Sequence, residues 1–401
     1  MRDILRDPII LPVYVPTFLL SFCTGMLIPI LPLYVKAFHV SYAMVGLVLA
    51  TEGIGRIFGD LPAAVLLNKL GRKNAMVAGV STVAVAGALL FFAPSVIIVM
   101  ALRLASGVGG SLWNISRHAY LTDVTLPHQR GRALSIFGGV NRVGSFAGPA
   151  AGGGIAALFT LRSPFLAFGA IAILSALIAA LVVEKSSTPL PAPPRGHLRH
   201  IGDIFKAHFR VLLTAGTGQL FAQTIRSARQ VLVPLFGADV LGLGYEAVGF
   251  IVSISGFVDM AMFYPAGYIM DHYGRKFAIV PCFAVQGLGM ACISFASSFV
   301  GLLAATCLIG FGNGIGSGTM MTLGADLAPK NAVGEFLGLW RLIGDGGFLG
   351  GPLAVGNVAD WLGLSPAAYT IAAIGLTAAG IFGFFVPETL QKSPRTSAPT
   401  P

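Results

Sequence analysis

Residues 271–280 read DHYGRKFAIV, and residues 68–77, at a distance of 203 positions, read NKLGRKNAMV. Both segments contain a Gly-Arg-Lys turn, and each turn lies between two long apolar stretches. A short basic turn between apolar stretches is typical of a connection between two membrane-spanning helices. Two copies at a fixed offset predict a membrane protein built from two repeats of one unit.

The composition favours the lipid bilayer as the environment of most of the chain. Of the 401 residues, 55% are hydrophobic and 10% are charged, and the mean hydropathy is +0.81. A soluble domain carries about 25% charged residues. The 52 glycines and 24 prolines are compatible with membrane helices, in which small residues allow close backbone packing. We therefore predict an all-α membrane protein.

Apolar blocks between polar breaks predict twelve transmembrane helices in two pseudo-symmetric halves of six. The halves cover residues 1–184 and 209–388, a proline-rich basic linker covers 185–208, and a tail covers 389–401. The predicted spans are 9–35, 42–67, 74–93, 95–118, 131–156, 164–184, 209–236, 245–268, 276–296, 299–325, 334–358 and 365–386.

The net charge of +10 is concentrated in the predicted tails and in alternate connections between spans. This distribution follows the positive-inside rule, and it predicts a multi-pass protein of the cell (inner) membrane with both termini in the cytoplasm. No nucleic-acid-binding motif accompanies the charge. We expect the lipid bilayer, a small-molecule substrate and protons as partners, no nucleic acid, and a monomer.

The repeat extends well beyond the two basic turns. Equivalent residues at the 203-residue offset are Gly46 and Gly249, Pro62 and Pro265, Gly107 and Gly310, Asp123 and Asp326, Gly144 and Gly347, Gly148 and Gly351, and Pro149 and Pro352. A constant offset across six spans indicates an internal duplication. Two parallel six-helix repeats are an architecture of secondary transporters.

With these residues the chain resembles the major facilitator superfamily over nearly its whole length. The family's turn between helices two and three is Gly-x-x-x-Asp-(Arg/Lys)-x-Gly-Arg-(Arg/Lys). The second half matches this turn at Gly267, Asp271, Gly274, Arg275 and Lys276, with His272 at the first basic position. The first half retains Lys69, Gly71, Arg72 and Lys73 but has Ala64 and Asn68 in place of glycine and aspartate. We expect Asp123 to pair with Arg72 in their absence.

Two further helices carry motifs of the same family. Helix four reads RLASGVGG from Arg103, and helix five reads GSFAGPAAGG, which places Gly144, Gly148, Pro149, Gly152 and Gly153. The helix-five pattern resembles the drug/proton antiporter branch, and the resemblance implies export. The alternative is that the pattern only packs a kinked helix at the interface between the halves, which is compatible with either direction of transport.

Four charged residues are predicted near the middle of the membrane, where each is energetically costly. Arg56 and Asp259 are equivalent in the repeat, as are Arg142 and Asp345. In the fold that the resemblance implies, helix two faces helix eleven and helix five faces helix eight. We therefore predict two pairs between the halves, Arg56–Asp345 and Arg142–Asp259. The alternative is pairing along each helix, of Arg56 with Glu52 or Asp60 and of Asp345 with Arg341.

Proton coupling needs a carboxylate at membrane depth. The antiporter branch often has one in helix one, but the first span of this chain contains none. The candidates are therefore Asp259, Asp345, Glu52 and Asp60, and a permanent ion pair with Arg56 is the alternative for Glu52.

Helix seven carries a polar stripe at Gln219, Gln223, Arg226 and Gln230, with Arg229 beside it. Because helices one and seven line the cavity in the family, we expect the stripe to face substrate, together with Arg103, Asn114 and Asn313. A polar seam against the other half is the alternative. The mid-membrane charges are Arg56, Arg103, Arg142, Arg226, Arg229 and Arg341 against Glu52, Asp60, Asp259 and Asp345. This excess of arginine favours anionic, zwitterionic or neutral substrates.

The leading hypothesis is a proton-coupled exporter of a small organic compound that works by alternating access. The alternative is an importer or facilitator of an organic anion or metabolite. An intramembrane enzyme or a lipid scramblase is less favoured, because the sequence contains no paired nucleophile and base at one depth. No phosphate-binding loop, metal site or cofactor is expected.

Overall fold

The computed structural model describes residues 9–126, 129–184 and 197–390, and within these ranges every element is helical. The predicted N-terminal tail, the proline-rich part of the linker and the tail from residue 391 onward lie outside the described residues. The prediction of an all-α membrane fold is confirmed.

The described residues form twelve long helical spans, here numbered α1–α12, and a short linker helix. Gly71 divides the helix Tyr42–Leu89 into α2 (42–70) and α3 (72–89). The other spans are α1 Val15–Lys36, α4 Val96–Val124, α5 Arg130–Leu158, α6 Ser163–Val182, α7 Phe209–Leu235, α9 Arg275–Ile293, α11 Val333–Leu362 and α12 Leu364–Gly380. Two spans are broken: α8 into Tyr245–Ala261 and Phe263–His272, and α10 into Phe299–Ile315 and Thr319–Leu327. The linker helix is His197–Ala207, and π-helical turns occupy Ile10–Tyr14, Phe236–Val240 and Ile381–Phe385.

Both Gly-Arg-Lys turns depend on a glycine with a positive φ angle. Gly71 has φ 74° and Gly274 has φ 134°, conformations that residues with a Cβ rarely adopt. Each glycine lets the chain reverse between two spans within a few residues. The repeated motif therefore builds the same tight connection once in each half.

In the described part of the chain, nine helices are long and apolar enough to cross a membrane. The spans α5, α7 and α11 are not among them. These three contain Arg142, the glutamines and arginines of the α7 stripe, and Asp345. The polar side chains of these predicted functional residues lower the hydropathy of the three spans.

Inter-half packing is concentrated at one end of the molecule. We call the end with the two Gly-Arg-Lys turns the basic end and the opposite end the far end. A Cβ on Gly46 of α2 would overlap the carbonyl oxygen of Pro352 in α11, and a Cβ on Gly249 of α8 would lie 2.5 Å from that of Pro149 in α5. These two contacts are equivalent in the 203-residue repeat.

A second pair of equivalent contacts continues this far-end seam. Gly153 of α5 packs on the backbone of Tyr245, and Gly356 of α11 packs on the backbone of Tyr42. The backbone amides of Tyr42 and Ala43 donate to the carboxylate of Asp360 at 2.6 and 2.9 Å. In contrast, a Cβ on Gly138 of α5 would meet no atom within 4 Å. The described residues therefore hold the halves together mainly at the far end.

Candidate transport site

A central cavity of about 550 Å³ lies between the two halves. Its wall is apolar over much of its area, through side chains such as Leu27, Phe146, Phe168 and Met260. The charged lining consists of Arg56, Arg103, Arg117, Arg142 and Arg229 with Glu52 and Asp259. Five arginines against two carboxylates give this lining a net charge of +3, and a cavity with that charge attracts anions.

Asp259 of α8 is the carboxylate on which most partners converge. Arg142 Nη1, from the other half, lies 3.3 Å from Asp259 Oδ1. Arg229 Nη2 lies 3.6 Å from Oδ2, and Asn313 Nδ2 donates to the same oxygen at 2.6 Å. The Asp259 side chain is 12% exposed. The structure thus brings Arg142 and Asp259 together across the halves at the wall of the cavity.

Glu52 of α2 is the other carboxylate in the lining of the cavity. It forms salt bridges with Arg56 one turn further along α2 and with Arg103 of α4. Its side chain is 16% exposed. Two arginines therefore compensate each of these two carboxylates, and of the two groups the one at Asp259 joins the halves.

The predicted pair between Arg56 and Asp345 is not formed in this structure. Arg56 bonds to Glu52, and Asp345 Oδ2 lies 3.8 Å from Nε of Arg341, four residues earlier on α11. Partners one helical turn away are already in position, so they compete well with a partner across the cavity. The alternative of pairing along each helix is thus observed for these two residues.

A different pair joins α2 to α11. Arg341 Nη2 lies 3.8 Å from Asp60 Oδ2, and Asp60 also accepts a hydrogen bond from Ser111. The Arg341 side chain is 64% exposed. This contact is long and solvated, so we expect it to contribute about 1 kcal/mol or less.

Only one residue of the predicted α7 stripe lines the cavity. Gln230 does so, beside Arg229. Gln219 and Gln223 instead pack on Gly344 of α11. Arg226 Nη2 donates to the carbonyl oxygen of Gly316 at 3.3 Å.

Gln219, Gln223 and Arg226 therefore do not line the cavity as predicted, and their contacts with Gly344 and Gly316 lie within their own half. Residues at steps of three and four share one face of a helix, but the sequence does not indicate which neighbour that face meets. Arg103 and Asn114 line the cavity as predicted. Asn313 was also predicted to do so, but it is not part of the lining, and its amide donates to Asp259 instead.

The sequence analysis missed Arg117. This α4 residue lines the cavity and is only 4% exposed. The predicted end of the fourth span at residue 118 placed Arg117 at the membrane surface, whereas α4 continues to Val124. Arg117 is therefore about 10 Å inside the helix, at about 1.5 Å per residue. An arginine at that depth is a signal that a longer predicted span would have revealed.

Both basic turns are tied to the neighbouring helix by an arginine. Arg72 Nη2 donates to Asp123 Oδ1 at 3.0 Å, and Arg275 Nε donates to Asp326 Oδ2 at 3.1 Å. These pairs are equivalent in the repeat. Arg275 also donates to Asp271 at 2.9 Å, whereas the first half has Asn68 at that position. Arg72 and Asp123 thus form the predicted contact although the usual aspartate is missing.

The glycine motif of α5 packs mainly within its own half. A Cβ on Gly144 or Gly148 would lie within 2.8 Å of the α1 backbone or closer, and Gly152 also packs on α1. Pro149 and Gly153 instead pack on α8 of the other half, against Gly249 and Tyr245. The motif therefore fixes α5 against α1 and adds two contacts to the far-end seam.

No group of three or more His, Cys, Asp or Glu that could hold a metal ion occurs in residues 9–126, 129–184 and 197–390. The geometry is that of a membrane transporter with a charged cavity between two pseudo-symmetric halves. A family profile with the description Major Facilitator Superfamily matches residues 13–352 and 215–401. The chain belongs to this family, and it is accordingly a transporter rather than an enzyme.

Curated relatives and solved structures agree with this assignment. The chain is 22% identical to an uncharacterised MFS-type transporter of Methanocaldococcus jannaschii, over 93% of this chain and 96% of that protein. It is 24% identical to Multidrug resistance protein 2 of Bacillus subtilis, over 71% and 72%. The crystal structure of the nucleoside transporter NupG has a TM-score of 0.78 at 13% identity, over 93% of this chain and 98% of that chain. The fold is shared with that structure.

Proposed function

We propose that this transporter exports a small organic compound in exchange for protons, and that it works by alternating access. The relatives named as multidrug resistance proteins support export, since at about a quarter identity they match most of the chain. The repeat supports alternating access, because two rigid halves can rock about a cavity that lies between them. The cell membrane is the proposed location, with the basic end and both termini in the cytoplasm.

The single observation that carries the proposal is the cross-half contact of Arg142 with Asp259. This contact lies beside the cavity, below the far-end seam, and it requires an ionised aspartate. Protonation removes the negative charge that attracts Arg142 and Arg229, so it weakens the contact between the halves. A proton on Asp259 thereby favours opening of the far end, and its loss favours closing.

In this proposal Glu52, Asp60 and Asp345 are not the main proton carriers. Glu52 is held between two arginines, which stabilise its ionised form. Asp60 and Asp345 share the exposed Arg341, and their contacts with it are 3.8 Å long. We therefore assign the coupling role to Asp259 and a modulating role to the other three.

A second candidate function is import or facilitated passage of an organic anion or metabolite. The net charge of +3 along the cavity favours it. An anion bound beside Asp259 makes protonation of that aspartate more favourable, because two nearby negative charges repel. That coupling moves the proton and the anion in the same direction, which distinguishes it from exchange.

Proteoliposomes that contain a pH-sensitive dye separate the two candidates. A panel of cationic, neutral and anionic aromatic compounds is added with and without a pH gradient, and lumenal pH is recorded. Proton movement opposite to the compound supports exchange, and movement with an anion supports the second candidate. The variant Asp259→Asn is expected to abolish proton-linked flux, whereas Asp203→Asn, on the exposed surface of the linker helix, retains it. Unchanged coupling in Asp259→Asn would overturn the assigned role.

A further inference from the structure

We propose that the cavity binds small organic carboxylates with an apolar body, and that Arg117 binds their carboxylate group. The inference rests on the proposed function in one respect, namely that the central cavity is the transport site. It goes further by naming the substrate class and the residue that recognises it.

Arg117 differs from the other cavity arginines in its ion pairing. Arg56 and Arg103 share Glu52, while Arg142 and Arg229 share Asp259. Among the described residues no carboxylate lies within salt-bridge distance of Arg117. Its contacts are with neutral groups: Nη1 donates to Thr17 Oγ1 at 3.2 Å and Nη2 donates to Asn114 Oδ1 at 2.6 Å.

The Arg117 guanidinium also retains unused hydrogen-bonding capacity. It has five N–H groups, and its Nε is buried without an acceptor among the described residues. A charge with unsatisfied donors at this depth is costly unless a partner compensates it. A carboxylate in the cavity supplies the opposite charge and an acceptor for the Nη N–H groups that Thr17 and Asn114 leave unused.

The surroundings of Arg117 hold the guanidinium in place. It lies over the rings of Trp113 and Phe137, 5.2 and 4.5 Å from their centroids. Aromatic faces restrict the orientation of an arginine, and the hydrogen bonds to Thr17 and Asn114 restrict it further. The positive charge is therefore held at a fixed place in the cavity wall, where it can attract an anion.

The other residues that line the cavity favour a ligand whose body is apolar. Leu27, Ile28, Phe146 and Phe168 contribute hydrophobic surface to the same cavity. A cavity of about 550 Å³ accommodates a compound such as 4-phenylbutyrate. An organic cation of the same shape would meet a lining with a net charge of +3, so we expect it to bind less well.

The test uses purified full-length protein in detergent micelles and matched ligands. The pairs are benzoate with benzamide, 4-phenylbutyrate with 4-phenylbutanamide, and 2-naphthoate with 2-naphthamide, and 4-phenylbutylamine serves as the cation. Binding is measured by calorimetry and by the thermal unfolding midpoint. We expect at least one acid to bind more tightly than its amide and than the amine. No preference for any acid in the wild-type protein would overturn the inference.

Variants then place the preference at Arg117. Arg117→Gln should weaken acid binding about 10- to 100-fold, as expected when a hydrogen-bonded ion pair is lost, and Arg117→Lys should restore part of it. Arg132→Gln removes one charge from an exposed position on α5 and should leave binding unchanged. If Arg117→Gln folds and retains the acid preference, the inference is wrong.

The inference about acid binding and the proposed transport function can be contradicted by different results. Acid binding without any proton-linked flux in proteoliposomes contradicts the proposed function and leaves the inference standing. Proton-linked flux of amines or neutral compounds, without any acid preference in binding, contradicts the inference and leaves the proposed function standing.

Discussion

Asp259 has three partners, Arg142, Arg229 and Asn313, whereas Asp259 is the one carboxylate that pairs with Arg142 among the described residues. Asp259 therefore tolerates the loss of Arg142 better than Arg142 tolerates the loss of Asp259. In Arg142→Gln, Asp259 retains Arg229 and Asn313. In Asp259→Asn, Arg142 retains only a neutral hydrogen bond to Ser317 and the ring of Phe263. We therefore expect Asp259→Asn to lower the free energy of unfolding by about 2 kcal/mol, which is more than the effect of Arg142→Gln.

A double-mutant cycle of these two variants, followed by unfolding in detergent, measures the coupling across the halves. We expect a coupling energy of about 1 kcal/mol or more, because the two side chains are in direct contact. Additive effects would show that the contact does not stabilise the closed far end.

The sequence predicted the Arg142–Asp259 contact but not the partner of Arg56, and the reason is local. Arg142 has no acidic residue at three or four positions on either side in α5, so its nearest carboxylate is on another helix. Arg56 has Glu52 one turn away and bonds to it. Symmetry in the sequence therefore indicates which positions are equivalent, but partner choice depends on neighbours that break the symmetry.

At the scale of elements, the chain after α12 stabilises the second basic turn. The backbone amides of Arg275 and Lys276 donate to the two oxygens of Glu388 at 2.9 and 3.0 Å. The carboxylate thus caps the N-terminus of α9, where the helix dipole favours negative charge. Burial alone would raise the pKa of Glu388, but these amides and that of Leu390 hold it below its ordinary value of 4.5.

Because the pKa is lowered in the folded state, Glu388 stabilises the protein above its ordinary pKa, and this stabilisation is lost as pH falls through the folded pKa. We expect Glu388→Gln to lower the free energy of unfolding by about 1 kcal/mol at pH 7. The difference from wild type should shrink as the pH falls below 4.5. Thermal unfolding at several pH values measures it, with Asp203→Asn as the control. A difference that does not depend on pH would contradict the capping role.

The positions of the helices could be predicted from hydropathy, but two breaks could not. The predicted spans at 245–268 and 299–325 are each divided, at Met262 and at 316–318. Pro265 lies near the first break, yet its equivalent Pro62 lies inside an unbroken helix. A proline removes one backbone hydrogen bond, but the packing around it decides whether the helix bends or breaks.

At the scale of the whole molecule, the contacts of the far-end seam occur in pairs related by the 203-residue repeat. Gly153 on Tyr245 and Gly356 on Tyr42 are equivalent contacts, and in both a Cβ would overlap a backbone oxygen. Either Gly153→Ala or Gly356→Ala should therefore push the halves apart at the far end. Gly138→Ala on the same α5 helix has open space around its Cβ. This control should be neutral or stabilising by up to about 1 kcal/mol, since alanine favours helix over glycine.

Spin labels at Leu158 and Glu246, which are exposed at the far ends of α5 and α8, report the separation of the halves. Both seam variants should populate a longer label-to-label distance than the wild type, and the control should not. The two seam variants should act alike although they lie in different halves, because the repeat makes their contacts equivalent. An unchanged distance in both would show that the seam does not hold the far end closed. A change in only one would show that the two equivalent contacts contribute unequally.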